Sequence, residues 1–163
     1  MKKQITMSLI IILLYLLISS LTVMAQVRPD FSGTWKLNKD NSDFGKVGRP
    51  DSLTEGFAVL VITHNEPSFH WAIIANDEIK GGVSFTTDGK KTISHAGNIE
   101  RTDEARWEGT TLLHSTKVRG ENGKLLSHQE RLMLSEDGKT LTILRHLSTE
   151  IFEVDVKLVY ERQ

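Results

Sequence analysis

Histidine is the residue type in this chain with the widest capacity for chemistry, since an imidazole binds metals and titrates near neutral pH. No two histidines form a His-x-His or His-x-x-x-His pair, spacings that place two side chains on one face of a strand or helix. Histidines on neighbouring antiparallel strands still have the geometry to converge. We expect buried or solvated histidines rather than a metal or haem site. The six histidines are His64, His70, His95, His114, His128 and His146.

Motifs for nucleophilic catalysis and phosphate binding are missing from the sequence. There is no cysteine, which excludes a thiol nucleophile, a thiolate metal site and a disulfide framework. No Gly-x-Ser-x-Gly elbow and no glycine-rich phosphate loop occurs. Acidic residues are scattered, so a catalytic carboxylate pair stays open but unsupported. We therefore predict no catalytic residues, no cofactor and no metal, and hence a protein that is not an enzyme.

Glu130 and Arg145 are the charged residues whose placement the sequence predicts most sharply. Asp137-Gly138 has the composition of a two-residue hairpin turn. Such a turn places Leu132 opposite Ile143 and Glu130 opposite Arg145, all on one face. Charged side chains inside a barrel are costly unless they pair or meet a polar ligand.

The preceding hairpin extends this face. A tight turn at Asn122-Gly123 places Leu113 opposite Leu132 and Ser115 opposite Glu130. We expect an interior polar layer beneath a bound ligand or ordered water. The alternative is a solvated cross-strand pair at the open rim, which contributes little to stability. The polar layer consists of Ser115, Glu130 and Arg145.

Short β-strands are the elements that must position these residues. After residue 26 no stretch shows a long helical period, and short alternating runs are separated by turn signals. This pattern predicts an all-β, antiparallel, up-and-down meander. Closing it into a barrel of about 8–10 strands removes its exposed edges. The predicted strands cover residues 33–39, 57–64, 68–75, 79–87, 90–95, 98–107, 110–119, 124–134, 139–147 and 151–162.

The stretch Phe31–Leu37, FSGTWKL, is predicted to open and close this barrel. Gly33 lacks a Cβ and admits a close neighbour, and Trp35 lies on the same strand face. A tryptophan there buries a large apolar area at one end of the barrel. Tyr160 in the last strand should face inward, and Arg162 is placed to stack on Trp35. An ordinary core tryptophan and a solvated terminal arginine are the alternatives.

Residues 1–25 are typical of a secretory signal peptide. A basic start is followed by an apolar run, and Val23-Met24-Ala25 supplies small side chains at a cleavage site. We expect a cleaved signal at 1–25, one mature domain at 26–163, and an exported location, periplasmic or secreted. An uncleaved membrane anchor is the alternative, because residues 5–25 nearly span a bilayer. After cleavage no membrane span is expected.

The composition is that of a globular protein, with 39% hydrophobic and 25% charged residues. The formal net charge is -1. No basic run with interleaved aromatic residues occurs, so we expect no nucleic-acid partner.

Residues 40–56 form the one long predicted connection. A loop of this length is either a lid or binding loop, or a plain surface crossover. The predicted strands 57–64 and 68–75 are apolar on both faces, so their outer faces need a cover. We expect residues 40–56 to supply it.

With both chain ends considered, the sequence resembles the calycins, the group that includes lipocalins and fatty-acid-binding proteins. The resemblance rests on Phe31–Leu37, on Val159-Tyr160-Glu161-Arg162 and on about ten short strands between them. In particular, the chain is similar to small exported bacterial lipocalin-like proteins. The resemblance implies an up-and-down barrel with an interior cavity for a small apolar or amphipathic ligand.

Two features of those families are missing here. Fatty-acid-binding proteins carry an arginine two residues before the final-strand tyrosine, as part of a carboxylate-binding set. In this chain that position is Leu158, although Tyr160 is present. The Thr-Asp-Tyr type turn of lipocalins is not recognisable, because Thr87-Asp88-Gly89 has only a hairpin composition.

A ligand-binding barrel is therefore the favoured function, with a small hydrophobic ligand as partner. A filled-core barrel that serves as a structural or protein-interaction module is the alternative, and an enzyme is the third choice. The expected pocket is lined by Trp71, Phe85, Trp107 and Tyr160, together with the polar layer.

Overall fold

The computed structural model describes residues 27–47, 59–75, 78–120 and 123–163. Within these ranges the chain forms ten β-strands and one short 3-10 helix, which confirms the predicted all-β class. The predicted signal peptide and residues 48–56 of the long connection lie outside the described residues. In the described part of the chain, no helix is long and apolar enough to cross a bilayer.

The strands follow one another as an antiparallel meander. Each of them pairs with its sequence neighbours, except that β4 and β5 do not pair with each other, and β1 pairs with β10. The bounds are β1 Gly33–Leu37, the 3-10 helix Gly45–Val47, β2 Val59–Asn65, β3 Ser68–Ala75, β4 Glu78–Thr86, β5 Asp88–Ala96, β6 Ile99–Glu108, β7 Thr111–Arg119, β8 Leu125–Leu134, β9 Thr140–Thr149 and β10 Glu153–Arg162.

The first and last strands close the barrel, as predicted. Trp35 lies opposite Arg162 and Leu37 lies opposite Tyr160 in the β1–β10 ladder. The sheet has two free edges, because no backbone hydrogen-bond ladder joins β4 and β5 among the described residues. The protein is therefore a nearly closed ten-stranded barrel with a seam between β4 and β5.

Gly33 and Arg162 meet at the closure. The Arg162 guanidinium lies 4.4 Å from the centre of the Trp35 ring, and its Nη1 donates to the Ser32 carbonyl at 2.7 Å. Gly33 has φ of 141°, and a Cβ there would lie 2.9 Å from Arg162 Nη1. The close neighbour predicted for Gly33 is thus the stacked guanidinium, and the predicted stacking on Trp35 is confirmed.

The β8–β9 hairpin has the predicted register. Glu130 lies opposite Arg145 and Leu132 opposite Ile143. Gly138 has φ of 69°, a left-handed conformation that glycine adopts without a steric penalty. This hairpin therefore brings the two charged residues to one face, as the turn composition indicated.

The register predicted for β7 and β8 is wrong by one residue. Leu112, not Leu113, lies opposite Leu132. The reason is the number of residues between the hydrogen-bonded positions Gly120 and Lys124, which is three rather than the two of the predicted turn. The Gly120 amide donates to the Lys124 carbonyl at 3.0 Å and so closes this longer loop.

This shift exchanges the two faces of β7, because successive side chains of a strand point to opposite sides. His114 takes the position opposite Glu130 that was expected for Ser115. His114 is buried, whereas Ser115 borders a polar groove on the outer face of the barrel. The interior polar layer therefore contains a histidine in place of the predicted serine.

The hydrophobic core fills the end of the barrel where β1 begins and where β10 ends near the C terminus. Trp35 and Tyr160 are fully buried there, and the Trp35 indole N–H donates to the Phe31 carbonyl at 2.9 Å. Trp35 therefore buries its large apolar side chain at one end of the barrel, as the sequence predicted. Its other fully buried apolar residues are Phe31, Leu112, Leu132, Leu141 and Ile143.

Glu66, in the β2–β3 turn, joins separate segments of this closed end. Its carboxylate accepts hydrogen bonds from Arg28 Nη1 at 2.8 Å, Trp107 Nε1 at 2.7 Å and Thr87 Oγ1 at 2.8 Å. Burial raises its pKa, but the hydrogen bonds from Thr87, His64 and Trp107 hold the pKa below its ordinary value. One carboxylate therefore links the N-terminal segment, β6 and the residue between β4 and β5.

The described part of the long connection runs along β10. Asp43 and Lys157 exchange two backbone hydrogen bonds of 2.8 and 2.7 Å. Phe44 is buried at this point, at the opposite end from Trp35. Residues 40–47 therefore do not lie over β2 and β3, and the part that could provide the predicted cover lies outside the described ranges.

Candidate functional site

A cavity of about 520 Å³ occupies the end of the barrel opposite the closed end. Most of its wall is apolar, and Phe152 in the β9–β10 turn stands at its mouth with 42% exposure. An apolar pocket with a few polar groups is the usual form of a small-molecule site. Its apolar lining consists of Phe44, Trp71, Ile73, Val83, Leu126, Leu147, Phe152, Val154, Val156 and Leu158.

Three polar side chains contribute to the same cavity. Arg101 comes from β6, His128 from β8 and Arg145 from β9. All three side chains lie on the inner face of the sheet. Strands β8 and β9 are adjacent, and β7 separates β8 from β6. The cavity thus has an apolar majority and a basic wall.

Glu130 lies behind Arg145 and is about 1% exposed. Arg145 Nε donates to Glu130 Oε1 at 2.6 Å, and His114 Nδ1 donates to Glu130 Oε2 at 2.7 Å. Burial alone raises the pKa of this carboxyl, but Arg145 and His114 hold the pKa well below its ordinary range. Glu130 is therefore an ionised carboxylate inside the barrel, and the rim alternative for this pair is ruled out.

Asp103 on β6 is a second buried carboxylate. Arg101 donates to it through Nε at 2.7 Å and Nη2 at 2.9 Å, in the bidentate geometry that suits a guanidinium. Thr116 Oγ1 donates to it at 2.6 Å, and His114 Nε2 donates at 2.9 Å. Burial opposes ionisation, but these hydrogen bonds hold the pKa of Asp103 well below its ordinary value.

His114 is held between the two carboxylates. Both ring nitrogens lie within hydrogen-bond distance of carboxylate oxygens, and only a doubly protonated imidazole donates from both. Burial lowers the pKa of His114, but the hydrogen bonds to Asp103 and Glu130 outweigh it and raise the pKa above 6.5. The ring of Phe85 stacks on the imidazole at 4.1 Å between centroids. The contacts of both ring nitrogens with carboxylates therefore favour the imidazolium form of the buried His114.

His128 has the opposite electrostatic character. Burial lowers its pKa to about 4, so the ring is neutral at pH 7. Its Nε2 is buried and has no hydrogen-bond partner among the described residues. A neutral imidazole that borders the cavity with an unsatisfied nitrogen has the capacity to bond a polar ligand group.

Tyr160 belongs to the core beneath the cavity. Its side chain is fully buried, and its hydroxyl has no hydrogen-bond partner within the described ranges. Burial raises the pKa of this phenol, so it stays protonated at every ordinary pH. Tyr160 does not border the cavity.

The structure separates the residues that the sequence grouped as one pocket. Trp71 and Arg145 line the cavity. Phe85 lies below it against His114, and Trp107 lies at the closed end with Phe31, their ring centroids 5.9 Å apart. Glu130 lies behind the cavity wall, bonded to Arg145.

Sequence reasoning missed His114, Asp103, Arg101 and His128 as parts of this site. A signal for His114 was present in β7. Ser115 shares a strand face with Lys117, so an inward Ser115 would also have turned an ammonium group into the barrel. The other face, which carries Leu112, is the one that a barrel buries.

A group of His114, His128 and Glu130 has ligand atoms within 4.8 Å of one another, a spacing that suits a metal ion. Glu130 is already paired with Arg145, and both nitrogens of His114 contact carboxylates. The guanidinium groups would repel a metal cation at this position. The arrangement is that of an ion-pair chain, and the expectation of no metal stays a prediction.

Comparison with known proteins places the fold. No protein family profile matches the chain, and no curated protein sequence matches it. Among solved structures, zebrafish ileal bile acid-binding protein complexed with cholic acid is 17% identical, with a TM-score of 0.54, covering 82% of this chain and 98% of that one. A secretory abundant heat soluble protein of Ramazzottius varieornatus is 15% identical, with a TM-score of 0.57, covering 85% and 98%.

Lipid binding protein 8 of Caenorhabditis elegans is similar at 14% identity and a TM-score of 0.52, covering 82% of this chain and 95% of that one. At these identities the likeness concerns the fold. Together with the nearly closed meander of ten strands, it shows that this chain has a calycin-like fold. The resemblance predicted from the two chain ends is therefore confirmed at the level of the fold.

Proposed function

We propose that this protein binds a small amphipathic ligand in the cavity of its barrel. The cavity carries this proposal, because about 520 Å³ of space is enclosed mainly by apolar side chains and has basic groups on one wall. Small-molecule pockets measure roughly 300–1,000 Å³ and combine an apolar lining with a few polar groups that orient the ligand. An apolar tail against Trp71 and Leu158 and a polar head near Arg145 fit this arrangement.

Two structural neighbours support the proposal. One is a bile acid-binding protein in complex with cholic acid, and another is named as a lipid binding protein. None of the three similar proteins named above bears the name of an enzyme, in line with the prediction that this chain is a binding protein. A filled-core barrel is less well supported, because the core residues leave a cavity of this size.

Binding is tested by isothermal titration calorimetry with dodecanoate and dodecan-1-ol below their aggregation concentrations. We expect one-to-one binding of at least one of them. Val156 borders the cavity, so Val156→Trp should weaken this binding by about tenfold or more, since the indole takes up ligand volume. Lys157→Trp on the same strand points outward and should bind as the wild type does.

Binding of neither amphiphile, or equal binding by the two variants, would contradict a ligand site in this cavity. Circular dichroism of both variants controls for folding, because a misfolded Val156→Trp variant would lose binding for a different reason. Native mass spectrometry of protein purified from its own host adds a second test, in which a retained lipid-like mass is expected.

We also propose that the chain is exported, to a periplasm or to the medium, on the basis of residues 1–25. The full chain expressed in a Gram-negative host should be recovered outside the cytoplasm with Gln26 as its first residue. N-terminal sequencing measures this directly. Protein that retains Met1 and fractionates with the membrane would favour the uncleaved anchor instead.

A further inference from the structure

The two arginines that border the cavity already hold carboxylates of the protein itself. Arg101 donates to Asp103 from Nε at 2.7 Å and from Nη2 at 2.9 Å. Arg145 approaches Glu130 Oε1 with both Nε and Nη2, each at 2.6 Å. The edge formed by Nε and Nη2 is one with which a guanidinium binds a carboxylate at two points. On both arginines a buried protein carboxylate therefore occupies that edge.

Asp103 and Glu130 also act on anything that enters the cavity beside these arginines. Burial raises the pKa of each carboxyl, but contacts with His114 and with the arginines hold both pKa values well below the ordinary range. Both carboxylates are therefore charged at pH 7. A ligand carboxylate next to the arginines would lose its own hydration and would be repelled by these two charges. The wall thus attracts an anion less than the presence of two arginines suggests.

His128 brings an uncharged polar group to the same wall. Its ring borders the cavity, and its buried Nε2 has no hydrogen-bond partner in the part of the chain that the structure describes. Burial lowers the pKa of His128 to about 4, so the ring is neutral at pH 7. A buried polar atom without a partner costs free energy, and a ligand group that bonds to it removes that cost.

We propose that the cavity selects an uncharged amphiphile with a hydroxyl head group, and that His128 Nε2 forms a hydrogen bond with this hydroxyl. This inference rests on the proposed function and specifies the class of ligand. A neutral imidazole nitrogen either donates or accepts, according to the tautomer, and a hydroxyl matches both cases. A carboxylate only accepts, and it adds a charge to the cavity. His128 is in this view the residue that sets the specificity for the head group.

The last strand supports the same assignment. Fatty-acid-binding proteins carry an arginine two residues before the final-strand tyrosine, and that position is Leu158 in this chain. The β10 side chains that line the cavity are all apolar, namely Val154, Val156 and Leu158. The hydrocarbon part of the ligand has these surfaces to pack against, and His128 on β8 offers the polar contact.

The class of head group is tested with two amphiphiles that share a twelve-carbon chain, dodecan-1-ol and dodecanoate. Calorimetric titration of the wild-type protein at pH 7 should give an affinity for dodecan-1-ol at least about tenfold above that for dodecanoate, because only the carboxylate must be desolvated as an ion. Equal affinities, or tighter binding of dodecanoate, would overturn the uncharged head group and leave the proposed cavity function standing. Binding of neither amphiphile would contradict both.

The role of His128 is tested by two substitutions. His128→Leu replaces the imidazole with an apolar side chain and should weaken the binding of dodecan-1-ol by about five- to tenfold, the loss expected for one hydrogen bond. Dodecanoate should be affected by about twofold or less. His128→Gln is the matched variant, because its amide is neutral and keeps both a donor and an acceptor. It should bind dodecan-1-ol within about threefold of the wild type.

The ratio of the two affinities is the decisive readout, because a change in cavity shape alters the binding of both amphiphiles together. Unbound His128→Leu should resist urea at least as well as the wild type, since it removes a buried nitrogen that lacks a partner. An unchanged ratio in His128→Leu, or equal losses in the leucine and glutamine variants, would overturn the hydrogen bond. If the leucine variant fails to fold, His128→Phe keeps an aromatic ring without a nitrogen, and the same ratio decides.

Discussion

Replacing Glu130 with glutamine is expected to lower the free energy of unfolding by about 3–5 kcal/mol. Glu130 is buried, and its two oxygens hold Arg145 and His114. Glutamine has nearly the same shape, so the packing is preserved while the charge that stabilises both cations is lost. An amide N–H would also face one of these cations, which have no acceptor to offer. Chemical denaturation monitored by tryptophan fluorescence measures this loss.

Glu108→Gln is the matched control for this prediction. Glu108 on β6 is also paired with an arginine, Arg131 on β8, at 2.9 Å, but both side chains are at least half exposed. Exposed pairs of this kind contribute about 0–1 kcal/mol. A loss in Glu130→Gln no larger than in Glu108→Gln would contradict the structural role of the buried pair.

The pH dependence of stability should distinguish the same two variants. The pKa values of Glu130 and Asp103 are lowered in the folded protein, so both contribute stability above their ordinary pKa, near 4, that is lost as the pH falls through their folded values. Glu130→Gln should therefore have a shallower loss of stability on acidification than the wild type. Glu108→Gln should follow the wild-type curve.

Replacing Trp35 with alanine is expected to lower the free energy of unfolding by about 3–5 kcal/mol. Trp35 is fully buried where β1 meets β10, and its ring carries the Arg162 guanidinium at 4.4 Å. Alanine leaves a cavity at the closed end, an unpaired Phe31 carbonyl and an arginine without its aromatic partner. Urea denaturation measures the change, because single domains of this size usually unfold in one cooperative step.

Trp35→Phe separates the ring from its hydrogen bond. Phenylalanine retains most of the apolar surface and a face for Arg162, but it cannot donate to the Phe31 carbonyl. Its expected cost is about 1–2 kcal/mol, which combines one lost hydrogen bond and a smaller ring. If Trp35→Ala were as stable as Trp35→Phe, the closure of the barrel would not depend on this residue.

Much of the architecture was predictable because it depends on local patterns. The pairing of β1 with β10 was predicted from the two chain ends. Gly33 leaves room for a close neighbour beside Trp35, and Arg162 at the other end of the chain has a guanidinium that can stack on that ring. The pairing of Glu130 with Arg145 was predicted from a turn at Asp137-Gly138. The predicted register is correct because the four residues between the hydrogen-bonded Ser135 and Thr140 are centred on that same pair.

The site was less predictable, because its central residue depends on one loop. The connection between β7 and β8 is longer than the Asn-Gly pair within it suggests, since Gly120 takes part in the loop as well. An error of one residue in a turn moves every side chain of the strand to the other face. His114 was therefore missed, although the outward position of Lys117 pointed to the correct face of β7.

Alternation along a strand also says which face a residue occupies but not its height in the barrel. Phe85, Trp107 and Tyr160 all point inward, as the pattern indicated. The cavity occupies only the end near Trp71, so the others pack at lower levels. Because the strands of a barrel are tilted, inward-facing residues of different strands lie at different heights along the barrel axis. The difference in height depends on the register of the complete sheet.

The free edges of β4 and β5 have a mechanical consequence. At the Glu66 end the chain itself connects them through Thr87, and toward the mouth no backbone ladder joins them within residues 78–96. No backbone ladder therefore fixes the circumference of the barrel at this line, and the hydrogen bond from Thr86 Oγ1 to Asp88 Oδ1 joins the two strands only at their connected ends. For the ligand binding proposed above, a barrel with such a seam can widen around ligands of different thickness, whereas a fully hydrogen-bonded barrel must break interstrand bonds to do so.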